Sequence, residues 1–224
     1  MGSGRLSVVI PTMNEEKSIG LVIKEVRDAI GTSRPLEILV VDTASKDRTR
    51  SIASELGAVV VDEPRRGYGR AYKTGFEKSS GEFVATLDAD MTYPASDIPA
   101  LLEKLERENL DFISTNRFAN MAKGAMSAKH RFGNWVLSTA TRVLFRVRLK
   151  DSQSGMWVFR KSCIGKLNVE SDKMSFSEEL KIEAFKKLKA AEVPITYPTR
   201  VGEVKLQSWS DGFGNLKYLF KKRF

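Results

Sequence analysis

Two aspartates separated by one residue, Asp88-Ala89-Asp90, close the apolar run Phe83-Val84-Ala85-Thr86-Leu87. Alternate side chains of an extended strand point the same way, so this spacing predicts that both carboxylates emerge together at the strand's carboxyl end. Like charges that close repel each other, and a hard divalent cation with oxygen ligands relieves them. Magnesium keeps several waters and binds through one or two carboxylates plus substrate phosphates. The chemistry implied is a metal-bridged phosphate ester. Its expected seat is the carboxyl edge of a parallel sheet, where open α/β folds put their ligands. Exposed turns also carry paired acids, so the reading depends on the surrounding elements.

Those elements alternate. Leu6-Ser7-Val8-Val9-Ile10 is an apolar strand ended by Pro11, and residues 15–30 have helical spacing with Ile19, Val22, Ile23, Val26 and Ile30 on one face. Asn14 is the expected N-cap. Glu37-Ile38-Leu39-Val40-Val41 reads as a second strand, residues 47–56 as a helix and Ala58-Val59-Val60-Val61 as a third strand. Residues 67–79 read as loop and helix before the strand that ends at Asp88. Near-continuous apolar strands alternating with helices predict an α/β fold, a mostly parallel sheet covered on both faces. Such a layout suits a nucleotide.

Three segments should meet at one rim. The first strand delivers Pro11-Thr12-Met13-Asn14-Glu15, the second delivers Asp42, and the fourth delivers Asp88 and Asp90. Asp42 can accept hydrogen bonds from a base N–H or a ribose hydroxyl; it is equally at home as a turn residue before a helix. Gly67, Gly69, Gly75 and Gly81 lack both the dinucleotide fingerprint and the P-loop lysine, which argues against those two chemistries. His130 is the single histidine, which excludes a histidine metal cluster and leaves a Ser–His–Asp triad only that one residue to build on.

Composition sets the outer bounds. At 224 residues, with 42% hydrophobic and 29% charged residues, the chain can build a proper core. One cysteine, Cys163, rules out an internal disulfide and fits a reducing compartment. No apolar run reaches the length of a membrane span, and Met1-Gly2-Ser3-Gly4 reads as a cloning remnant rather than a signal peptide. Charge is unevenly spread. Residues 1–112 hold 15 Lys+Arg against 19 Asp+Glu, a net of −4, whereas residues 113–224 hold 22 against 9, a net of +13. The second half is thus expected to meet an anionic partner: phosphate, membrane surface or nucleic acid. The acidic rim and the lack of an aromatic–basic RNA motif argue against nucleic acid.

Val8-Val9-Ile10-Pro11-Thr12-Met13-Asn14-Glu15, Val40-Val41-Asp42, the Gly67 to Gly81 series and Leu87-Asp88-Ala89-Asp90 together resemble family 2 glycosyltransferases with the GT-A fold. Thr115-Asn116-Arg117-Phe118, Asp151-Ser152-Gln153-Ser154-Gly155-Met156 and Arg200-Val201-Gly202-Glu203-Val204-Lys205-Leu206 are similar to the dolichyl-phosphate mannose synthase branch. The resemblance implies a nucleotide-sugar donor and a polyprenyl (dolichyl) phosphate acceptor. Asp88 and Asp90 would hold Mg2+ or Mn2+, and Pro11, Thr12, Asn14, Glu15, Asp42, Asp88 and Ala89 would seat the donor. Arg117, Arg131, Arg200 and Lys205 would hold the acceptor phosphate, with Glu203 orienting a cation; Asp88, Asp90, Arg117 and Arg200 would form the catalytic set. This chain departs from the branch at Thr92, where glutamine is common, and at Thr43-Ala44, where an acid or acid–glycine usually follows. GDP- and UDP-linked donors both stay open.

A polyprenyl phosphate is already an anionic nucleophile, so it needs cations rather than a general base. Glu178-Glu179, expected to open a helix running to Leu188 with Ser177 as its cap, supports the alternative of a hydroxyl acceptor deprotonated by one of these acids. Trp135, Trp157 and Trp209 are expected in core or edge packing. Residues 213–224 mix aromatics with the basic cluster Lys221-Lys222-Arg223, which fits the cytoplasmic face of a membrane, either peripherally or just before membrane spans; an ordinary packed helix is the other reading. The expected organisation is one GT-A domain: residues 5–115 for the donor, 116–212 for the acceptor, and 213–224 near the membrane.

Overall fold

Valine, isoleucine and leucine dominate the strands, and packing such residues on both faces requires helices on both sides of the sheet. The computed structural model describes residues 4–199 and 208–224, so Arg200, Glu203 and Lys205 lie outside the described residues. The described chain runs β1 (Leu6–Thr12), α1 (Ile19–Ile30), β2 (Leu36–Asp42), α2 (Thr49–Glu55), β3 (Val59–Asp62), α3 (Tyr68–Lys78) and β4 (Phe83–Thr86). It continues through α4 (Ile98–Arg107), β5 (Phe112–Met121), α5 (Ala128–Phe145), β6 (Trp157–Arg160), α6 (Phe176–Lys187), β7 (Ala190–Tyr197) and α7 (Ser208–Arg223).

The strands form one seven-stranded sheet in the order β3-β2-β1-β4-β6-β5-β7. Only β6 runs against its neighbours β4 and β5; the remaining pairs are parallel. The sheet is therefore mixed and mostly parallel, as the strand pattern predicts. Chain order turns back at β1, with β2 and β3 on one side and β4 on the other. Such a switch point opens a crevice at the carboxyl ends of β1 and β4.

Alternation along β1 divides the core. Leu6, Val8 and Ile10 join the cluster under α1 and α4, whereas Val9 faces Tyr72, Phe76 and Phe176 of α3 and α6. Burying the five apolar residues of α1 contributes roughly 1.5–3 kcal/mol each, which holds that helix better than its propensity would. Gly69 and Gly75 serve this packing: a Cβ on Gly69 would strike Phe176 and the Ser171 carbonyl, and one on Gly75 would strike Val9. A third cluster joins α5, α6 and α7 through Leu137, Phe145, Ile182 and Leu219.

Four local expectations are corrected. Ser18, not Asn14, sits at the α1 N-cap; Asn14 is a left-handed loop residue (φ 57°) whose side chain accepts from Lys46 N. β4 stops at Thr86, because Thr86 Oγ1 is tied to Gly155 O and Trp157 N, so Asp88-Ala89-Asp90 forms a turn rather than a strand end. Helix α6 begins at Phe176 with Ser175 at the cap position, and Ser177 Oγ donates to Ser154 O. Trp135 is exposed on α5, stacked 6.0 Å from Phe132, whereas Trp157 is fully buried as expected.

Candidate active site

Parallel pairing of β1 with β2 sets Thr12 opposite Asp42. Thr12 Oγ1 donates to Asp42 Oδ2 at 3.0 Å, Ser45 donates its N to Oδ1 and its Oγ to Oδ2, and Arg50 Nη1 reaches Oδ1 at 3.3 Å. The buried carboxylate thus receives four hydrogen bonds, about its full acceptor capacity, from within the chain. Asn14 N donates to Ser45 Oγ and Glu15 N to Thr49 Oγ1, so the loops after β1 and β2 are stitched together. Pro11, Thr12, Asn14, Glu15 and Asp42 therefore share one rim, as predicted. Asn14, Ala44 and Met91 all have φ above 50° on the loops after β1, β2 and β4. Ala44 occupies a left-handed position, which costs a non-glycine residue about 1–2 kcal/mol.

The two aspartates of the β4 turn differ in environment. Asp90 is buried and accepts from Thr92 N and Thr92 Oγ1, so Thr92 shapes the turn. Asp88 is half-buried and accepts from Tyr72 OH at 3.3 Å. Gly155 packs close by: a Cβ there would lie in ordinary contact, 3.5 Å, with both Asp88 carboxylate oxygens but only 2.6 Å from Tyr68 OH. Among the described residues no cluster of three or more His, Cys, Asp or Glu is assembled for a metal. Two carboxylates on one turn are nonetheless oxygen donors of the kind magnesium or manganese takes when waters and phosphates supply the rest. The residues fit such an ion.

Arg117 lies on β5 in a buried, bidentate pair with Asp151: Nε reaches Oδ2 and Nη2 reaches Oδ1, both at 2.8 Å, while Arg117 N also donates to Oδ2. Burial pushes the Asp151 carboxyl up, but the guanidinium charge and its hydrogen bonds outweigh that and hold it below the usual carboxylate range. Two tyrosines stand between this pair and the β4 turn. Tyr93 OH accepts from Gly155 N at 2.6 Å, and both Tyr68 and Tyr93 feel the charges of Asp88 and Arg117. The structure thus brings Asp88 and Arg117 to one neighbourhood. Arg131 is exposed in the first turn of α5.

The glutamate pair divides. Glu179 Oε2 accepts from Glu170 N and Ser171 N, and Oε1 accepts from Lys222 Nζ at 2.8 Å. Burial raises its carboxyl, and the bonds from Lys222 and Ser171 overcome this and lower it. Glu178 is fully enclosed: Oε1 accepts from Gln153 Nε2 and Ser152 Oγ, while Oε2 is buried and has no hydrogen-bond partner among the described residues. Burial pushes its carboxyl up to about 8, against the pull of Lys181 and of those two hydrogen bonds. Lys181 is itself buried on Ser154 O, and burial lowers its ammonium to about 7 against the attraction of Asp151.

Tyr68, Tyr72 and Tyr93 carry no motif and escaped the sequence reading. The first two are spaced i, i+4 on α3, which puts them on one helix face. Only the fold shows that this face looks at Asp88.

A sheet that reverses at β1 and carries two carboxylates on the turn at that edge has the layout of the GT-A glycosyltransferase class. Solved structures share the fold. Glucosyl-3-phosphoglycerate synthase from Mycobacterium tuberculosis in complex with uridine-diphosphate superimposes with a TM-score of 0.80 over 98% of this chain and 80% of that one, at 20% identity. Its complex with Mg2+ and uridine-diphosphate gives 0.79 over 98% and 79%, at 20% identity.

Residues 7–167 match the model of Glycosyl transferase family 2, and the chain belongs to that family. It is 36% identical to the low-salt glycan biosynthesis hexosyltransferase Agl6 of Haloferax volcanii, over 96% of this chain and 52% of that protein. It is 33% identical to the dolichyl-phosphate hexose transferase of the same organism, over 92% and 89%. It is also 29% identical to a dolichol-phosphate mannosyltransferase of Pyrococcus furiosus, over 91% and 59%. The chain thus spans about half the length of the first of these relatives.

Proposed function

We propose that this chain moves a hexosyl group from a nucleotide-sugar to a polyprenyl phosphate, with inversion, in one displacement. A phosphate oxygen of the acceptor attacks the anomeric carbon, the bond from that carbon to the diphosphate oxygen breaks, and the nucleoside diphosphate leaves with the electron pair. No proton has to move, so no general base is required. The observation that carries this reading over a hydroxyl acceptor is the condition of the glutamate pair. Glu179 is tied up by Lys222 and two backbone amides, and Glu178 is sealed among Ser152, Gln153 and Lys181. Two curated relatives are named as dolichyl- or dolichol-phosphate sugar transferases, which supports the same acceptor class.

In this reading Asp88 and Asp90 would hold Mg2+ or Mn2+, whose chemistry is to neutralise charge on the departing diphosphate. Pro11, Thr12, Asn14, Glu15 and Ala89 line the donor seat. Asp42 joins them when a base or ribose donor replaces the Ser45 hydroxyl. Arg117 meets the acceptor phosphate with the N–H groups that Asp151 leaves unused. Arg131 assists from α5, and Arg200 and Lys205 complete the set. Residues 5–115 serve the donor and 116–212 the acceptor within a single domain.

The bilayer is the proposed site of action, on its cytoplasmic face. No described helix is long and apolar enough to cross a membrane. Yet α5 exposes Phe132 (65%), Trp135 (57%) and Val143, α7 exposes Phe213 (72%) and Phe220, and Phe224 (91%) follows directly after α7. Each set recurs at helical spacing, and α7 adds exposed Lys217, Lys221 and Arg223.

The test is a panel of nucleotide-sugars offered with polyprenyl phosphate and Mg2+ or Mn2+, with product scored by mass. A glycosyl-phosphate lipid from wild type and from Glu178→Gln supports the reading. Product only with hydroxyl acceptors, lost in Glu178→Gln, overturns it.

A further inference from the structure

The loop that holds Arg117 in place is itself held from outside the sheet. Asp151 fixes Arg117, Ser152 N donates to Ser138 Oγ of α5, and Gln153 Nε2 donates to Glu178 Oε1 of α6. At Ser154, the hydroxyl pairs with Thr115 Oγ1 of β5 and the carbonyl accepts from Lys181 Nζ. At Gly155, the N donates to Tyr93 OH, and the missing Cβ leaves room for Tyr68 OH beside Asp88. Residues 151–155 therefore join the acceptor arginine to the β4 turn.

One more bond reaches this loop. Asn215, buried on α7, donates from Nδ2 to Gln153 Oε1 at 3.2 Å. Gln153 thereby accepts from α7 and donates to α6, with its amide committed at both ends. The same helix is seated by Leu219 in the α5–α6 cluster and by the Lys222–Glu179 pair. An apolar helix face could be seated by leucine alone. A buried asparagine costs free energy unless its partner is in register, so it fixes where the helix sits.

We infer that Asn215 and Gln153 are positioning residues: through the chain Asn215–Gln153–Glu178, the seating of α7 sets the 151–155 loop and, with it, the Arg117–Asp151 pair. The helix that carries the exposed Phe213 and Phe220 is thereby coupled to the acceptor side of the site. Displacement of α7 breaks the bond to Gln153, loosens the loop and lets Arg117 shift. The kinetic consequence rests on the proposed acceptor reading; the structural consequence does not.

Hydrogen exchange on the whole chain separates the two. In Asn215→Ala, the amides of Arg117, Ser152, Gln153 and Gly155, each hydrogen-bonded in the structure, should exchange about tenfold faster or more, with β1 and β2 unchanged. Glu178→Gln keeps an acceptor oxygen for Gln153 and should match wild type, whereas Glu178→Ala should match Asn215→Ala. Unchanged exchange at the four amides, or acceleration spread evenly over the sheet, overturns the inference. If Asn215→Ala lacks a cooperative unfolding transition, Asn215→Ser is read by the same comparison. Kinetically, Asn215→Ala should raise the apparent KM for polyprenyl phosphate about five- to tenfold and leave nucleotide Kd unchanged. An unchanged KM alongside faster exchange overturns the catalytic coupling. If wild type itself does not use polyprenyl phosphate, the acceptor reading fails, and the exchange result still decides the latch.

Discussion

Lys222 Nζ lies 2.8 Å from Glu179 Oε1, which splits the Lys221-Lys222-Arg223 cluster into two functions. Lys222 faces inward and pins α7 to α6, whereas Lys221 and Arg223 are exposed. Lys222→Ser should therefore destabilise the fold by about 1–3 kcal/mol, since the buried Glu179 keeps its backbone bonds but loses its half-buried cation partner. Lys221→Ser and Arg223→Ser should leave Tm unchanged and weaken co-sedimentation with anionic liposomes at low salt, each by about 1 kcal/mol. Thermal unfolding beside liposome sedimentation checks the division, and equal behaviour of all three variants refutes it.

The β4 turn predicts a graded metal response. Asp88 is the more exposed acid, so Asp88→Asn should remove most metal-dependent turnover with little change in Tm. Asp90 organises the turn through Thr92, so Asp90→Asn should lose turnover and some stability together. Titrating Mn2+ against nucleotide binding and melting both variants tests this. Full activity of Asp88→Asn, or indifference to chelator, removes the metal assignment.

Gly155 is constrained by the site itself. A methyl group there meets Tyr68 OH at 2.6 Å, beside Asp88. Gly155→Ala should push Tyr68 aside and cut turnover at least tenfold, at a stability cost of about 1–3 kcal/mol for overpacking. Preserved kinetics in this variant would show that the placement of Tyr68 against Gly155 has no role in catalysis.

Glu178 gives a pH dependence with a definite sign. Its carboxyl titrates near 8 in the folded chain, well above its ordinary value of 4.5, so between these limits the native state holds a proton that the unfolded chain has released. Stability from this group is full below about pH 4.5 and falls as pH rises toward 8. Glu178→Gln cannot ionise, so its Tm should gain on wild type steadily from pH 5 to pH 8. Melting curves across that range decide it. A constant difference would mean that Glu178 is charged in the native state.

Asp151 is predicted to be the less replaceable half of its pair. Asp151→Asn leaves a buried guanidinium without its counter-charge, at about 3–5 kcal/mol. Arg117→Lys keeps the charge but loses the fork, so it should fold better than Asp151→Asn and still bind acceptor weakly. Urea unfolding of the two variants ranks them.

The sequence by itself determined the frame. Apolar runs at strand length, alternating with helical spacing, specify a mostly parallel sheet because buried strands need both faces covered. The same pattern places Thr12, Asp42 and Asp88 at one edge, since parallel strands end on the same side. It also gave the family, through motifs that are local in the chain. Tertiary structure decided how those groups are used. Whether Asp42 is open or engaged depends on Thr12, Ser45 and Arg50, which no spacing rule brings together. Glu178 and Glu179 are adjacent, yet one is sealed beside Gln153 and the other is paired with Lys222, because neighbouring helical residues point about 100° apart. The tyrosines around Asp88, the Asp151 clamp on Arg117 and the inward turn of Lys222 all depend on contacts between residues far apart in the chain. Periodicity records which face a residue occupies; only the packed fold supplies what that face meets.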